Sequence, residues 1–242
     1  MKKIIIVVLL FPLFAQAQLG GKNIIKTNLS GYAINNYYFT YERNIVKHLS
    51  ASISYRTMPK GNLPFLSTVE SMFTNTNFDF TQFKIGNTAI TPEIRIYSHK
   101  NMRGFYIAAY ARFATFDFTA PLNYTYTNGA ISQSATALFD GKINSTSGGL
   151  MIGTQHNIFK KLVLDIWIIG GHYGTSNGTL VATINHTMSA QEQQGLQNQI
   201  NGIKADPFTV TGKVTSPTSA NLVSNGPWAG IRGLGINLGF RF

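Results

Sequence analysis

The sequence predicts an all-β chain, an eight-stranded antiparallel transmembrane β-barrel with short periplasmic turns and long extracellular loops. Three observations predict it. Eight segments alternate apolar residues with small or charged ones, the connections between them fall into tight and long sets, and the charges gather on the strand side opposite the large apolar residues. A closed sheet in lipid requires this, because its strands must leave no free edge and must turn their apolar side chains outward.

The N-terminus reads as an export signal. Lys2 and Lys3 form a short basic start, residues 4–14 are almost purely apolar, and Ala15-Gln16-Ala17 has the small-x-small form of a cleavage site. Residues 1–17 are therefore expected to be a signal peptide removed on export, leaving 18–242 as one outer-membrane β-barrel domain beginning at Gln18. The apolar stretch is shorter than the ~20 residues that cross a bilayer as a helix. The most apolar later run, 162–169, is short and interrupted by Asp165, so a helical span is not expected there either. Cysteine is absent, which excludes disulfides, thiolate metal sites and a cysteine nucleophile. The 20 Lys and Arg against 9 Asp and Glu give +11, and loss of Lys2 and Lys3 leaves 18 against 9. That excess favours anionic partners. For an exported chain these are outer-membrane lipids and lipopolysaccharide, and nucleic acid is not expected.

Strand-period alternation marks 23–31, 35–43, 50–57, 88–97, 104–117, 146–157, 162–172 and 230–242. Each is near the ~9–11 residues with which a tilted strand crosses a bilayer. In the last, Leu234, Ile236, Leu238, Phe240 and Phe242 alternate with Gly233, Gly235, Asn237, Gly239 and Arg241. In the strands that precede it, the expected outward sets are Ile25, Thr27 and Leu29; Tyr37, Phe39 and Tyr41; Ala51, Ile53 and Tyr55; Ile90, Ile94 and Ile96. They continue with Phe105, Ile107, Ala109, Ala111 and Phe113; Leu150 and Ile152; Leu162, Leu164, Ile166 and Ile168. The opposite parity collects Lys26, Glu42, Arg56, Glu93, Arg95, Arg112, Asp165, Arg232 and Arg241. A water-soluble sandwich would enclose the apolar set instead. Pro92 falls inside the fourth strand, where a missing N–H calls for a bulge or local break.

Links 44–49, 98–103 and 158–161 are tight, whereas 58–87, 118–145 and 173–229 are long; the first link, 32–34, is a short exception. Tight turns at one end and long loops at the other give the orientation of an outer-membrane barrel. Within the last long link, Ser189-Ala-Gln-Glu192 has capping-box form and precedes Leu196, Ile200 and Ile203, which predicts a short amphipathic helix over the barrel mouth. Phe65, Val69, Met72 and Phe73 share helical spacing in the first long link. Lys47, Lys100, Arg103, Lys160 and Lys161 cluster in the tight turns. Tyr41, Phe105, Phe240 and Phe242 at one end, with Tyr55, Phe113, Tyr173 and Trp228 at the other, suit interfacial aromatic girdles.

With its strands placed, the chain resembles the small eight-stranded outer-membrane barrels typified by outer-membrane proteins A and X. More narrowly, it resembles a domain-of-unknown-function family of exported bacterial barrels. The matching residues are Asn23-Ile-Ile-Lys-Thr-Asn-Leu29, Tyr41-Glu-Arg-Asn44 and the glycine-alternating end Gly233-Leu-Gly-Ile-Asn-Leu-Gly-Phe-Arg-Phe242. Leu238, Phe240 and Phe242 are similar to the terminal signal read by the barrel-assembly machinery. The resemblance covers the strands and implies no activity or catalytic residue.

A barrel of about eight strands is filled by its inward side chains. Lys26, Glu42, Arg56, Glu93, Arg95, Arg112, Asp165 and Arg232 are therefore expected to form a structural ion-pair network in the lumen, which disfavours a wide pore. Metal and catalytic sites are not expected, nor is a cofactor. His156, His172, His186, Asp140, Glu192 and Asp206 are joined by no motif and have no ligand spacing. The leading expectation is a monomeric, non-enzymatic outer-membrane barrel with a structural role or a surface ligand held by its loops. Its alternatives are a lipid- or peptide-modifying hydrolase or acyltransferase at the outer rim, and a narrow channel.

Overall fold

Alternating side chains and complementary turns carry the chain back and forth through one antiparallel sheet. The computed structural model describes residues 21–62 and 82–242. The expected export signal and the helical spacing at Phe65 to Phe73 lie outside the described residues. The elements are β1 (Asn23–Asn28), α1 (Leu29–Tyr32), β2 (Tyr37–Val46), β3 (Leu49–Asn62), β4 (Lys84–His99), β5 (Arg103–Asn128) and β6 (Ile131–Asn157). They continue with β7 (Leu162–Thr183), α2 (Ala190–Asn201), β8 (Thr209–Ser216), β9 (Ser219–Arg232) and β10 (Gly235–Arg241).

Eight strands close into a ring. β1 through β7 pair in sequence order, and β10 pairs with both β7 and β1. The closing register sets Ile25 against Phe240 and Thr27 against Leu238. The two added strands arise because β7 outruns β10. Its start, Leu162 to Trp167, pairs with β10, the longer remainder from Gly170 to Thr183 pairs with β9, and β8 lies on the far edge of β9. β9 and β10 thus act as one strand interrupted at Gly233 and Leu234. The turns after β2, β4 and β6 lie at one end with Phe242, and the β4–β5 turn places Asn101 and Met102 at φ 62 and 55, the left-handed region Asn tolerates.

The long connections differ from the sequence expectation. Residues 118–145 are not a loop but the outer halves of β5 and β6, joined at Gly129 (φ 65) and paired from Phe118–Gly141 to Asn128–Ile131. Residues 173–229 hold the end of β7, α2, β8 and most of β9. Their Thr, Asn and Ser content resembles a loop, yet cross-strand partners satisfy these groups, as where Thr136 donates to Asn123 Oδ1.

This extension has its own apolar core. Leu122, Tyr124, Phe139, Leu180 and Leu222 pack with Leu196 and Ile200 of α2. Ser189 caps α2 by accepting from the Glu192 N–H. Gly195 allows the helix onto β5, because a Cβ there would collide with the Thr125 carbonyl and approach Tyr126 Cβ at 2.8 Å. Below the extension the polarity inverts. Phe105, Ile107 and Leu150 are 67%, 59% and 63% exposed on the outside of the ring, whereas Glu42, Arg95 and Asp165 are fully buried inside.

Pro92 keeps its register with Ile53 on β3. Toward β5 the ladder pairs Ile90 with Phe113 and Glu93 with Tyr110 at one constant offset, skipping the two residues between. The missing N–H therefore opens a gap in the ladder without a bulge. A bulge lies elsewhere. Between Ile152 and Gly153 the β6 register shifts against β7, and Ile168 and Ile169 both point outward.

Candidate functional site in the ring interior

The inward positions of the ring build a charge-balanced cluster. Lys26 Nζ on β1 lies 2.6 Å from carboxylate oxygens of both Glu42 on β2 and Asp165 on β7, and donates to Gln155 on β6 at 2.8 Å. Arg95 on β4 pairs with Glu93 at 2.7 Å and with Asp165 at 2.8 Å, and stands 3.6 Å from Glu42. Arg232 at the end of β9 pairs with the second oxygen of Glu93. Tyr97 and Tyr106 donate to Glu42 and Asp165, each at 2.7 Å, and Ser50 also donates to Glu42. Three cations thus face three carboxylates, with every acceptor engaged from several strands, the condition under which buried charge is tolerated.

Arg56 and Arg112 stand apart from this cluster. Arg56 Nε donates to Asn36 Oδ1 at 2.8 Å, and Arg112 donates to Asn87 Oδ1 at 3.3 Å. Among the described residues, no carboxylate lies within ion-pair distance of either. The reason is height along the ring. Ser52 and Tyr110 are level with Glu93, Arg112 is one inward position above Tyr110, and Arg56 is two above Ser52. The six residues Lys26, Glu42, Glu93, Arg95, Asp165 and Arg232 meet; the two higher arginines do not join them.

Above the cluster the interior opens into a cavity of about 420 Å³. Arg56, Arg112 and Arg232 line it together with Tyr38, Trp167, His172 and Trp228. The Arg232 guanidinium lies between two rings, 4.2 Å from the Trp167 centroid and 4.9 Å from that of Tyr110, a cation–π arrangement that partly replaces hydration. Arg56 lies over Tyr38, with 5.5 Å to the ring centroid. Trp228 packs on Phe116 at 4.6 Å between centroids. It therefore faces the cavity and does not belong to an outer aromatic girdle, because the inward parity of Arg232 extends back along β9.

The remaining candidates are dispersed. His172 contacts Tyr110, with Nδ1 3.2 Å from the hydroxyl, while His186 contacts Glu192, with Nε2 2.9 Å from Oε1. Tyr124 also donates to Glu192, and burial with that bond holds its phenol above the usual tyrosine range. His156 bonds nearby Thr154, Asp140 accepts from Lys60 and Thr119 in the extension, and Asp206 precedes a cis proline. Among the described residues no group of three His, Asp or Glu side chains could hold a metal. Leu238 and Phe240 share the outer face of β10, and the Phe242 backbone pairs with Asn23 of β1.

Sequence reasoning missed Tyr38, Trp167 and the inward direction of His172. The alternation of Tyr38 with Phe39, and of Trp167 with Ile166 and Ile168, carries the signal for the first two. His172 has none, because strict alternation from Asp165 sends it outward and the bulge at Ile168 and Ile169 reverses the parity.

Fold and interior define the class: an all-β antiparallel chain whose sheet closes through eight strands around a charged centre. The chain belongs to a family described as "Protein of unknown function (DUF3575)", which matches residues 3–197. The match ends within α2, before β8, β9 and the ring-closing β10. No curated protein matches the chain.

Proposed function

We propose that the chain is a bacterial outer-membrane β-barrel, exported by a cleaved signal, with its lower lumen closed by ion pairs and its strand extension standing outside the cell. The observation that carries this reading is the inverted polarity. A ring of exposed Ile, Leu and Phe surrounds a centre of buried Lys, Arg, Asp and Glu. In water such an exterior would be an aggregation surface; in lipid it is the stable arrangement. Strand length adds support. β5, β6 and β7 have 26, 27 and 22 residues, about twice the ~9–11 needed to cross a bilayer, so their outer halves project into water with a conventional apolar core. The lysines of the tight turns then meet headgroups on the periplasmic side.

On this reading the protein is a non-enzymatic monomer whose lower lumen blocks a wide pore. Its partners are outer-membrane lipids and lipopolysaccharide, the barrel-assembly machinery that reads Leu238, Phe240 and Phe242, and a ligand met from outside. Membrane fractionation with gel migration tests it. The processed chain is expected in the outer-membrane fraction and to change mobility on boiling; a freely soluble chain with unchanged mobility would overturn it.

A further inference from the structure

Among the described residues, the lumen holds more positive charge than its carboxylates balance. Glu42, Glu93 and Asp165 are all engaged by Lys26, Arg95 and Arg232 in the lower cluster. Arg112 is only 3% exposed, and Arg56 and Arg112 donate to the neutral amides of Asn36 and Asn87 with no carboxylate paired to either among the described residues. Two guanidinium groups in a confined space, with a third below them, repel one another and gain from a counter-ion. Tyr38 lines the same cavity as both, its ring lying under the Arg56 guanidinium. The buried Trp167 Nε1 has no hydrogen-bond partner among the described residues, and neither do Nε and Nη2 of Arg232.

The cavity lined by these groups also has apolar surface. Phe116, Trp167 and Trp228 line it, and Ile34 and Leu234 are at its margin. Beside it the wall is incomplete. β9 pairs with β8 only as far as Asn225, so its edge from Gly226 to Arg232 has no strand partner on that side among the described residues. The volume, about 420 Å³, is that of a small-molecule site and too small for a polymer.

We propose that this cavity binds a small organic oxyanion, a phosphate monoester or carboxylate carrying an aromatic or short apolar group. Arg56 and Arg112 hold the oxyanion through charge-assisted hydrogen bonds. Tyr38 adds a hydroxyl donor, and Trp167, Trp228 and Phe116 hold the apolar part. A soluble metabolite and a lipid headgroup both offer this chemistry. The site is a property of the ring interior and holds whether or not the ring resides in a membrane.

Both tryptophans of the chain, Trp167 and Trp228, line the cavity, so intrinsic fluorescence reports on it directly. The full processed chain, folded in an uncharged detergent, is titrated with phenyl phosphate, inorganic phosphate, dihexanoyl phosphatidic acid and neutral benzyl alcohol. Phenyl phosphate or the short-chain lipid is expected to give a saturable change, about 10-fold tighter than inorganic phosphate, weakened by salt and absent with benzyl alcohol. Tighter binding of phenyl phosphate identifies a soluble ligand, and tighter binding of phosphatidic acid a lipid headgroup. Arg56→Gln and Arg112→Gln should each weaken the change by about 10-fold or more. Far-ultraviolet circular dichroism verifies that each variant is folded, and a ligand-induced rise in unfolding temperature of the unaltered protein gives a readout independent of the variants. Absence of saturation and of that rise overturns the proposal, as does unchanged affinity in the folded double variant. Equal affinity for phenyl and inorganic phosphate overturns its organic part.

Discussion

Asp165 accepts from Lys26, Arg95 and Tyr106 at once, so its charge is held from three other strands. Asp165→Asn keeps the shape but leaves Lys26 and Arg95 sharing the remaining two carboxylates of the cluster. Loss of one partner from a buried ion network costs about 3–5 kcal/mol. We expect a loss of that order in the urea unfolding of the folded protein, and an unchanged midpoint would show that the cluster contributes little. The parity of each strand makes the inward position of Asp165 legible, because its neighbours Leu164 and Ile166 demand the outer face. Which of the inward charges would touch was not legible. Arg56 and Arg112 have the same parity as Arg95, yet their heights above Glu93 are fixed by strand register, which depends on residues far away in sequence.

Among the elements, α2 owes its position to both capping and close approach. The Ser189 cap and the spacing of Leu196 and Ile200 are local features, and a helix is expected from them. Its seat against β5 depends on Gly195, where the Thr125 carbonyl and Tyr126 leave no space for a side chain. Gly195→Ala should push the helix outward at a cost of about 1–3 kcal/mol, the usual range for overpacking. Hydrogen exchange is expected to quicken in α2 and β8 and to stay unchanged in β1 to β4. Equal protection throughout would show that the helix adapts without moving. The outer halves of β5 and β6 escaped sequence reading because Thr, Asn, Ser and Gly satisfy turn chemistry as readily as strand chemistry. Their pairing partner decides between the two, and for Tyr126 that partner is Gln133, across the turn at Gly129.

At the scale of the whole molecule, one protein combines two opposite packing arrangements. The ring encloses charge and exposes hydrocarbon, while the extension encloses Phe139, Leu180 and Leu196 and exposes polar groups. On the proposed membrane reading, a change of surroundings from lipid to water along the strands would account for both. Ile107, 59% exposed on the ring, discriminates sharply. In lipid, Ile107→Lys should destabilise the folded protein by about 2–4 kcal/mol if it lies near the bilayer midplane. On a surface facing water, the same change is worth within about 0.5 kcal/mol. Unfolding from lipid vesicles reads the difference, and a near-zero effect would count against insertion.

The sequence by itself determined the β character, the face on which each charge of the ring lies, the tight turns and the capped helix. These follow from alternation and from side-chain chemistry within a few residues. Only the tertiary structure decided that β9 diverts to β8 before β10 completes the ring, and that Arg56 and Arg112 stand apart from the lower ion pairs and line a cavity. Those outcomes depend on register between distant strands and on one bulge. A single inserted residue in a ladder turns every later side chain to the other face, and no local pattern records it.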